Sequence, residues 1–226
     1  NINVDIMYAL PGQTPEKLAE TIRTVAALSP EHISFYGLKI EENTPFAYNK
    51  TISESLPDEE IQYKMYMDTA KTLEAHGYRQ YEISNFAKDG FACRHNIKYW
   101  KCNDYLGFGT AAASFFEGRL FSQVKNIDYF IEDPLSVFLI DSTEEITPKK
   151  FETQYVMLGF RLSEGISLGE YRLRCGGDFI SKYGERLKPF IEKKLVIKTT
   201  DGFRLSRRGM LVSNYILSEI LDFDED

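Results

Sequence analysis

Residues 2–9 read Ile-Asn-Val-Asp-Ile-Met-Tyr-Ala, an apolar and β-branched run that predicts a strand. The turn Leu-Pro-Gly-Gln-Thr follows at residues 10–14, where Thr14 can cap a helix that begins with Pro15. Apolar residues then recur at helical spacing, and residues 32–40 read His-Ile-Ser-Phe-Tyr-Gly-Leu-Lys-Ile, a second strand. Strand, helix and strand in this order indicate a βαβ unit, in which the two strands run parallel.

The alternation of strands and helices continues to residue 86. Residues 41–56 form a polar loop, residues 57–76 have a helical pattern, and residues 79–86 predict a third strand. These strands are too few to close an eight-unit barrel. We therefore expect an α/β fold, the C-terminal part of a barrel or open sheet whose first strands precede Asn1.

The remaining sequence predicts a second domain, in which helical patterns dominate. Residues 106–117 and 120–124 are expected to pair as a hairpin, and residues 126–132 to form a short helix. The later helices, the small hairpin and the last helix are predicted at residues 147–162, 167–174, 178–193, 195–205 and 208–221. Helices followed by a small hairpin resemble a winged-helix unit. We place the domains at residues 1–140 and 141–226.

Composition limits the function classes. The net charge of −7 and the pI near 5.2 argue against general nucleic-acid binding, which usually needs a basic surface. Three cysteines without CxxC spacing do not form a disulfide framework, so we expect a reducing, cytoplasmic compartment. No apolar run reaches the length of about 18 residues that indicates a membrane-spanning helix.

Asp5 is the first candidate for a binding residue, because a carboxylate in an apolar strand is costly unless it meets partners or solvent. At the carboxyl ends of the strands, where α/β folds bind ligands, it could hold a pair of ribose hydroxyls. The alternative is a strand-end aspartate that caps a loop. Tyr36 and Lys39 point to the same rim, where Tyr36 could pack on an adenine or simply belong to the core.

A second candidate site is the stretch Cys-Arg-His-Asn-Ile-Lys-Tyr-Trp at residues 93–100. His95 is either a loop histidine bonded to its neighbours or an axial ligand to haem iron or to another metal. Tyr99 and Trp100 could supply a flat apolar surface beside it. The following Gly107-Phe-Gly109 is weak as a nucleotide loop and is better explained by close backbone packing or by the approach of a bulky ligand.

Five motifs in order resemble one known family. They are Asp5-Ile-Met-Tyr-Ala-Leu-Pro-Gly-Gln-Thr14, His32-Ile-Ser-Phe-Tyr36, Tyr81-Glu-Ile-Ser-Asn-Phe-Ala87, Arg94-His-Asn-Ile-Lys-Tyr-Trp100 and Asp104-Tyr-Leu-Gly-Phe-Gly109. Together they resemble the radical S-adenosylmethionine (SAM) proteins related to oxygen-independent coproporphyrinogen III oxidase, and within that family the haem-chaperone branch. The resemblance covers most of residues 1–124 and continues more loosely beyond them.

The resemblance implies a partial (β/α)6 TIM-like barrel followed by a helical C-terminal domain. It also implies S-adenosylmethionine and a [4Fe–4S] cluster on a CxxxCxxC loop, which this sequence does not contain, so only a full-length protein would hold the cluster. The family's SAM site falls on Asp5, Met7, Tyr36 and Lys39. The haem motif HNxxYW falls on His95, Asn96, Tyr99 and Trp100, with His95 as the iron ligand.

Two functions follow from the resemblance. The first is a haem-binding, radical-SAM-like chaperone that inserts haem into acceptor proteins, for which a respiratory protein is one candidate partner. The alternative is coproporphyrinogen III oxidase activity in porphyrin biosynthesis, with the porphyrinogen as substrate, and catalysis would then need the absent cluster region. A third hypothesis makes the C-terminal domain mainly a docking surface. The sequence leaves a homodimer open.

Overall fold

The chain divides into two compact units, Asn1–Ala92 and Cys93–Asp226. The computed structural model describes residues 1–223, with the side chain of Ser53 left out. Residues 224–226, the end of the predicted C-terminal domain, lie outside the described residues. The domain division predicted at residues 140 and 141 differs from this one and stays a prediction. None of the helices described is both long and apolar enough to cross a membrane.

The first unit is a four-stranded sheet with helices between its strands. Its elements are β1 (Asn3–Tyr8), α1 (Pro15–Leu28), β2 (His32–Gly37), α2 (Lys50–Glu54), α3 (Glu59–Ala75), β3 (Arg79–Glu82) and β4 (Asn85–Ala87). The strands lie in the order β1-β2-β4-β3, and β1 pairs parallel with β2. The predicted βαβ unit is therefore confirmed. The four described strands do not close a barrel, and the partial (β/α)6 barrel stays a prediction.

Helix α1 forms for the reasons that the sequence indicates. The Thr14 hydroxyl accepts a hydrogen bond from the backbone N–H of Lys17 at 3.3 Å, and Pro15 occupies the first turn. Leu18, Ile22 and Ala26 are buried on one face of the helix. An N-cap and a repeated apolar face are both local signals, so this helix could be predicted with correct bounds.

The prediction of one continuous strand over residues 79–86 is wrong. The chain reverses after Glu82, and β3 and β4 form a hairpin in which β4 also pairs antiparallel with β2. The buried Glu82 carboxylate accepts hydrogen bonds from the Ser84 backbone N–H at 2.8 Å and the Asn85 side-chain amide at 2.5 Å. These bonds stabilise the reversal. The predicted polar loop at residues 41–56 also contains the short helix α2.

The two faces of this sheet differ in polarity. Tyr8 and Phe35 stack on one face with ring centroids 4.4 Å apart, and Tyr66 of α3 packs beside both rings. The Tyr66 hydroxyl donates to the carbonyl oxygen of Ile83 at 2.9 Å, which ties α3 to the hairpin turn. Because strand side chains alternate, every second residue of β1 and β2, from Asn3 to Met7 and from His32 to Tyr36, lies on the opposite face, which is mostly polar.

The second unit contains two small sheets and most of the helices. Its elements are α4 (Arg94–Trp100), β5 (Ala113–Phe116), β6 (Arg119–Gln123), α5 (Ile127–Glu132), a 3₁₀ turn (Val137–Leu139), β7 (Ile140–Glu145), α6 (Pro148–Gly159), β8 (Ile166–Ser167), α7 (Leu168–Cys175), α8 (Phe179–Glu192), β9 (Val196–Lys198), β10 (Gly202–Leu205), α9 (Arg207–Leu211) and α10 (Ser213–Ile220). One sheet has the order β5-β6-β7 and the other β8-β10-β9. All strand pairs in both sheets are antiparallel.

Several predictions for this unit need correction. The stretch at residues 93–100, treated as a loop, is the helix α4. The strand predicted over residues 106–117 covers only β5, and β7 was not predicted. The single last helix is two helices, α9 and α10. The hairpin of β9 and β10 is confirmed, with β8 as an additional strand, and the winged-helix likeness stays a prediction.

Candidate functional site

The polar face of the first sheet carries the predicted SAM-site residues of β1 and β2. In the parallel register Asn3 lies beside His32, Asp5 beside Ser34 and Met7 beside Tyr36, so all six side chains share this face. Asp5, Met7 and Tyr36 are exposed, whereas His32 and Ser34 are buried.

A hydrogen-bond network fixes the side chains around Asp5. The Asn3 side-chain oxygen accepts from the Ser34 hydroxyl at 3.1 Å and lies 2.7 Å from Nδ1 of His32. Since that oxygen only accepts, Nδ1 carries the proton and Nε2 accepts from the Tyr81 hydroxyl at 2.8 Å. The Asn3 amide then donates to Asp5 at 2.7 Å. Burial lowers the pKa of His32, and the charge of Asp5 opposes that shift.

The predicted position of Asp5 at the rim of the sheet is wrong. Asp5 is the third of the six residues of β1, so three residues separate it from the carboxyl end of the strand. Met7 and Tyr36, which are register partners, lie closer to that end. Lys39 follows the end of β2 and pairs with Glu41 at 3.0 Å, so it is not brought to the polar face. Asp5 can still offer its exposed carboxylate to a ligand on the face.

The predicted haem motif lies on helix α4 in the second unit. His95 and Tyr99 are one turn apart, and their rings meet edge to face with centroids 4.9 Å apart. Tyr105 packs on Tyr99 in turn, at 4.4 Å. The His95 side chain is exposed, and its ring makes no hydrogen bond to any described residue. The arrangement leaves an oriented imidazole with its nitrogens available to a ligand.

Trp100 does not share the surface of His95 and Tyr99. Successive residues of a helix are about 100° apart, which turns Trp100 away from Tyr99. Its ring packs instead under the Arg161 guanidinium, 4.3 Å from the ring centroid. The indole nitrogen is buried and has no partner among the described residues. Asn96 is half-buried on the same side of the helix as Trp100. The expectation that Tyr99 and Trp100 together line a haem face stays a prediction.

Arg174 of α7 holds the C-terminal end of α4. Its guanidinium donates to the carbonyl oxygens of Lys101 and Cys102, the latter at 2.8 Å. These carbonyls end the helix, where a cation is favourable. The same guanidinium packs over the rings of Phe151 and Tyr155 at 5.2 and 5.3 Å. Arg174 therefore joins the motif helix to the helical part of the unit.

Gly107 supports the packing behind Tyr99, because it allows two backbone segments to lie close together. A Cβ at this position would overlap the carbonyl oxygen of Ala113, so only glycine allows the two backbones to come this close. The Gly107 N–H donates to the Ser114 hydroxyl at 3.0 Å, and Tyr105 exchanges backbone hydrogen bonds with Phe115. The interpretation of this glycine by close backbone packing is confirmed.

The described residues do not fit a [4Fe–4S] cluster. Cys93 and Cys175 are half-buried and Cys102 is buried, all as free thiols. Burial raises the pKa of both Cys102 and Cys175 to about 11, which disfavours the thiolate form that binds iron. Within residues 1–223, no group of three or more histidine, cysteine or acidic side chains could hold a metal ion. A cluster cannot therefore be assigned to these cysteines.

Sequence reasoning missed four residues of these sites: Asn3, His32, Tyr81 and Arg174. The alternation of His32, Ser34 and Tyr36 in β2 was the available signal for a polar face. Tyr81 reaches His32 from 49 positions away, and Arg174 reaches Lys101 from 73 positions away. No local pattern indicates such pairs.

Comparisons with known proteins agree with the motifs. The family model of the HemN C-terminal domain matches residues 146–212. The heme chaperone HemW of Bacillus subtilis is 33% identical over 224 residues, 98% of this chain and 59% of that protein. The chain is a homologue of part of HemW. The family resemblance inferred from the sequence is thus confirmed. HemW of Haemophilus influenzae is 32% identical, over 98% of this chain and 57% of that protein.

A solved structure supports the same fold. Coproporphyrinogen III oxidase (HemN) from Escherichia coli, described as a radical SAM enzyme, matches with a TM-score of 0.75. The match covers 96% of this chain and 54% of HemN at 20% identity, so it establishes the likeness of the mixed α/β fold alone. The chain spans less than three fifths of the length of the two HemW relatives, 59% and 57%.

Proposed function

We propose that this chain is the haem-binding part of a radical-SAM-like haem chaperone, which passes haem to an acceptor protein in the cytoplasm. The observation that carries the proposal is the exposed imidazole of His95, oriented by the edge of Tyr99 and without a hydrogen-bond partner among the described residues. The HemW relatives, at about 30% identity over nearly the whole chain, support it.

The donor set fits haem better than a cluster. A neutral imidazole is a common axial ligand of haem iron, and one open nitrogen is sufficient. Haem, when bound, would supply an iron centre for that nitrogen. Tyr99 restricts the rotation of the imidazole, and Tyr105 packs behind Tyr99. Trp100 holds α4 against Arg161 through its ring, and Asn96, one turn before it, remains a proposed haem contact.

His95→Ala should lose most of the haem affinity. Removing the only proposed iron ligand is expected to weaken hemin binding roughly ten-fold or more, which corresponds to about 1.4 kcal/mol or more. Hemin titration should give a Soret band for the unaltered chain that shifts and broadens in the variant. Quenching of Trp100, the single tryptophan, gives a second readout of the same titration.

His76→Ala is the matched control. His76 is also exposed, but it lies at the end of α3 in the first unit, where Nδ1 bonds the Thr72 carbonyl oxygen at 2.8 Å. Its spectrum and affinity should equal those of the unaltered chain. If His95→Ala and His76→Ala give the same Soret spectra, His95 is not the ligand.

We further propose that the polar face of the first sheet contacts S-adenosylmethionine through Asp5, with Met7 and Tyr36 beside it. The exposed Asp5 carboxylate, held by Asn3, suits a pair of ribose hydroxyls. Lys39 remains a proposed contact with weaker support, because it pairs with Glu41 beyond the strand. The [4Fe–4S] cluster is proposed for the whole protein, on a loop that this sequence does not contain.

Asp5→Asn should weaken S-adenosylmethionine binding. A hydrogen bond to a charged group contributes about 1.5–3 kcal/mol, so we expect a loss of roughly 10- to 100-fold in affinity. Isothermal titration of the chain with S-adenosylmethionine measures it. Asp68→Asn, an exposed aspartate of α3 paired with Lys64 at 3.9 Å, is the control. Equal affinities for Asp5→Asn and Asp68→Asn contradict the role of Asp5.

Coproporphyrinogen III oxidase activity is the alternative, and the fold match to HemN is the observation that favours it. That match concerns the fold alone, whereas the relatives with higher identity are named heme chaperones. Turnover of coproporphyrinogen III by the whole, cluster-loaded protein would favour the oxidase. Stable hemin binding through His95 without turnover would favour the chaperone.

A further inference from the structure

Exposed apolar side chains concentrate in residues 125–145 of the second unit, which we call the 125–145 surface. Leu135 is 91% exposed and Phe138 is 89% exposed, although both are large apolar residues. The other exposed apolar residues of the segment are Ile127, Tyr129, Ile131, Val137 and Ile140. Such a concentration is unusual for a surface that stays in water and marks an interaction site.

The same surface is strongly acidic. Residues 125–145 contain one lysine and six carboxylates, which leaves a net charge of −5 of the −7 on the whole chain. The carboxylates are those of Asp128, Glu132, Asp133, Asp141, Glu144 and Glu145. Lys150, from the next helix, pairs with Glu144 at 2.7 Å and neutralises one of them. A partner that covers the apolar side chains must therefore bring positive charge with it.

Strand β7 offers a free edge beside these side chains. It is the outer strand of its sheet, and all six of its residues are exposed. The Ile146 N–H bonds the Gly118 carbonyl oxygen at 2.8 Å, and bonded pairs alternate along an antiparallel ladder. Residues 142 and 144 therefore bond β6, and the N–H groups of Thr143 and Glu145 point outward. A partner strand can add at this edge.

We propose that the 125–145 surface binds a basic, apolar segment of a partner protein, which adds as a strand along β7. Lysine or arginine side chains of the segment would meet Asp141 and Glu145, and its apolar side chains would cover Val137 and Phe138, which directly precede β7 in the chain. This assignment uses none of the residues of the haem or SAM proposals and stands independently of both.

Charge excludes the other simple occupants. Two copies of β7 paired edge to edge would bring the carboxylates of Asp141, Glu144 and Glu145 together, which like-charge repulsion opposes. Acidic residues on an edge strand are a known protection against self-association. An anionic lipid surface would be repelled in the same way. A basic, apolar protein segment would neutralise the carboxylates, cover the exposed apolar side chains and pair with the free edge of β7.

A labelled octapeptide of alternating lysine and isoleucine tests the proposal by fluorescence anisotropy on the 226-residue chain. We expect saturable binding that weakens as salt is raised. The double variant Asp141→Asn with Glu145→Gln and the variant Phe138→Ser should each weaken it roughly ten-fold. Thr143→Pro, which removes an outward N–H without removing a bond to β6, should abolish it.

Matched controls distinguish binding at this site from non-specific binding of the peptide. Phe108→Ser removes another phenylalanine, 87% exposed, from outside the surface and should bind the peptide like the unaltered chain. A glutamate–isoleucine peptide and a lysine–serine peptide should both fail to bind. The proposal is overturned if Phe138→Ser and Phe108→Ser bind alike, or if the lysine–serine peptide binds as well. Self-association in sedimentation, lost in Phe138→Ser, would also overturn it, as would binding to anionic vesicles through the same residues.

Discussion

Replacing Arg174 by alanine is expected to lower the free energy of unfolding of the second unit by about 2–4 kcal/mol, because hydrogen bonds from a charged donor to partly buried carbonyl oxygens are lost. The guanidinium donates to the carbonyl oxygens of Lys101 and Cys102 and to the Asn103 side-chain oxygen at 3.3 Å. In the variant, the carbonyls at the end of α4 would lose their donor. The packing of the guanidinium over Phe151 and Tyr155 would be lost as well.

The same substitution should disturb the haem motif. Helix α4 has only seven residues, and an isolated helix of that length is not stable in water. Its persistence depends on tertiary contacts, among them the two hydrogen bonds from the Arg174 guanidinium of α7 to the Lys101 and Cys102 carbonyl oxygens. We therefore expect weaker hemin binding and a broader Soret band for Arg174→Ala, although this residue touches neither His95 nor Tyr99 in any described contact.

Denaturant unfolding followed by circular dichroism and Trp100 fluorescence measures this effect. Arg172→Ala is the control, because Arg172 lies on the same helix and its guanidinium forms an exposed ion pair with Asp178 at 3.2 Å. An exposed pair contributes about 0–1 kcal/mol. Arg174→Lys keeps the charge without the planar fork and should recover only part of the stability. Equal stabilities for Arg174→Ala and Arg172→Ala would show that Arg174 does not hold the helix.

The sequence was sufficient for elements that are determined locally. Helix α1 has its N-cap, its first-turn proline and its apolar face within Thr14–Leu28, and β1 and β2 have apolar runs of their own. The hairpin of β3 and β4 could not be predicted in this way. Its turn depends on the buried Glu82 carboxylate and on the bond from Tyr66 to Ile83, neither of which the local pattern of residues 79–86 reveals, so the pattern predicts one strand.

Helix α4 was missed because its stabilising contacts are distant in sequence. Cys93 occupies the N-cap position without a side-chain hydrogen bond, and the first turn contains no acidic residue. Both usual signals for the start of a helix are therefore absent. The contacts that hold α4 come from Arg161 and Arg174, more than sixty positions away.

In the candidate sites, too, local patterns could be predicted and contacts between distant residues could not. Alternation puts Asp5 and Met7 on one face of β1, since strand side chains alternate whatever the rest of the chain does, and the parallel register adds Tyr36 beside Met7. The support of that face by His32 and Tyr81 depends on a hairpin that the sequence did not reveal. The separation of Tyr99 from Trp100 likewise became clear only once the stretch was known to be helical.

Replacing Glu152 by alanine is the second large effect that we expect, again about 2–4 kcal/mol, because buried polar partners would be left unsatisfied. The Glu152 carboxylate on α6 accepts hydrogen bonds from the Tyr171 hydroxyl of α7 and from the Tyr183 hydroxyl of α8, the latter at 2.9 Å. It also pairs with Lys182 of α8 at 2.7 Å. One side chain, 13% exposed, thus connects three helices.

The pH dependence of the free energy of unfolding distinguishes the charge of Glu152 from its packing, because a loss of packing alone would not vary with pH. Burial acts to raise the pKa of Glu152, but the bonds from Lys182, Tyr171 and Tyr183 outweigh it, so the pKa is lowered overall. A carboxyl whose pKa is lower in the folded state adds stability above its unfolded pKa, about 4.3, and that stability is lost as the pH falls through the folded value. The stability difference between the unaltered chain and Glu152→Gln should therefore be full at pH 7 and shrink below about pH 4.

Unfolding in urea at pH 7, 5 and 3.5, followed by circular dichroism, measures this difference. Glu185→Ala removes an exposed carboxylate of the neighbouring helix α8, which pairs with Lys188 at 2.6 Å and is 84% exposed, and should change stability by less than about 0.5 kcal/mol. A difference for Glu152→Gln that stays constant over this pH range would mean that the carboxylate charge does not stabilise the three helices. The destabilisation by Glu152→Ala would then come from the cavity that the substitution leaves. The three helices would be held together by the packing of the Tyr171 and Tyr183 rings.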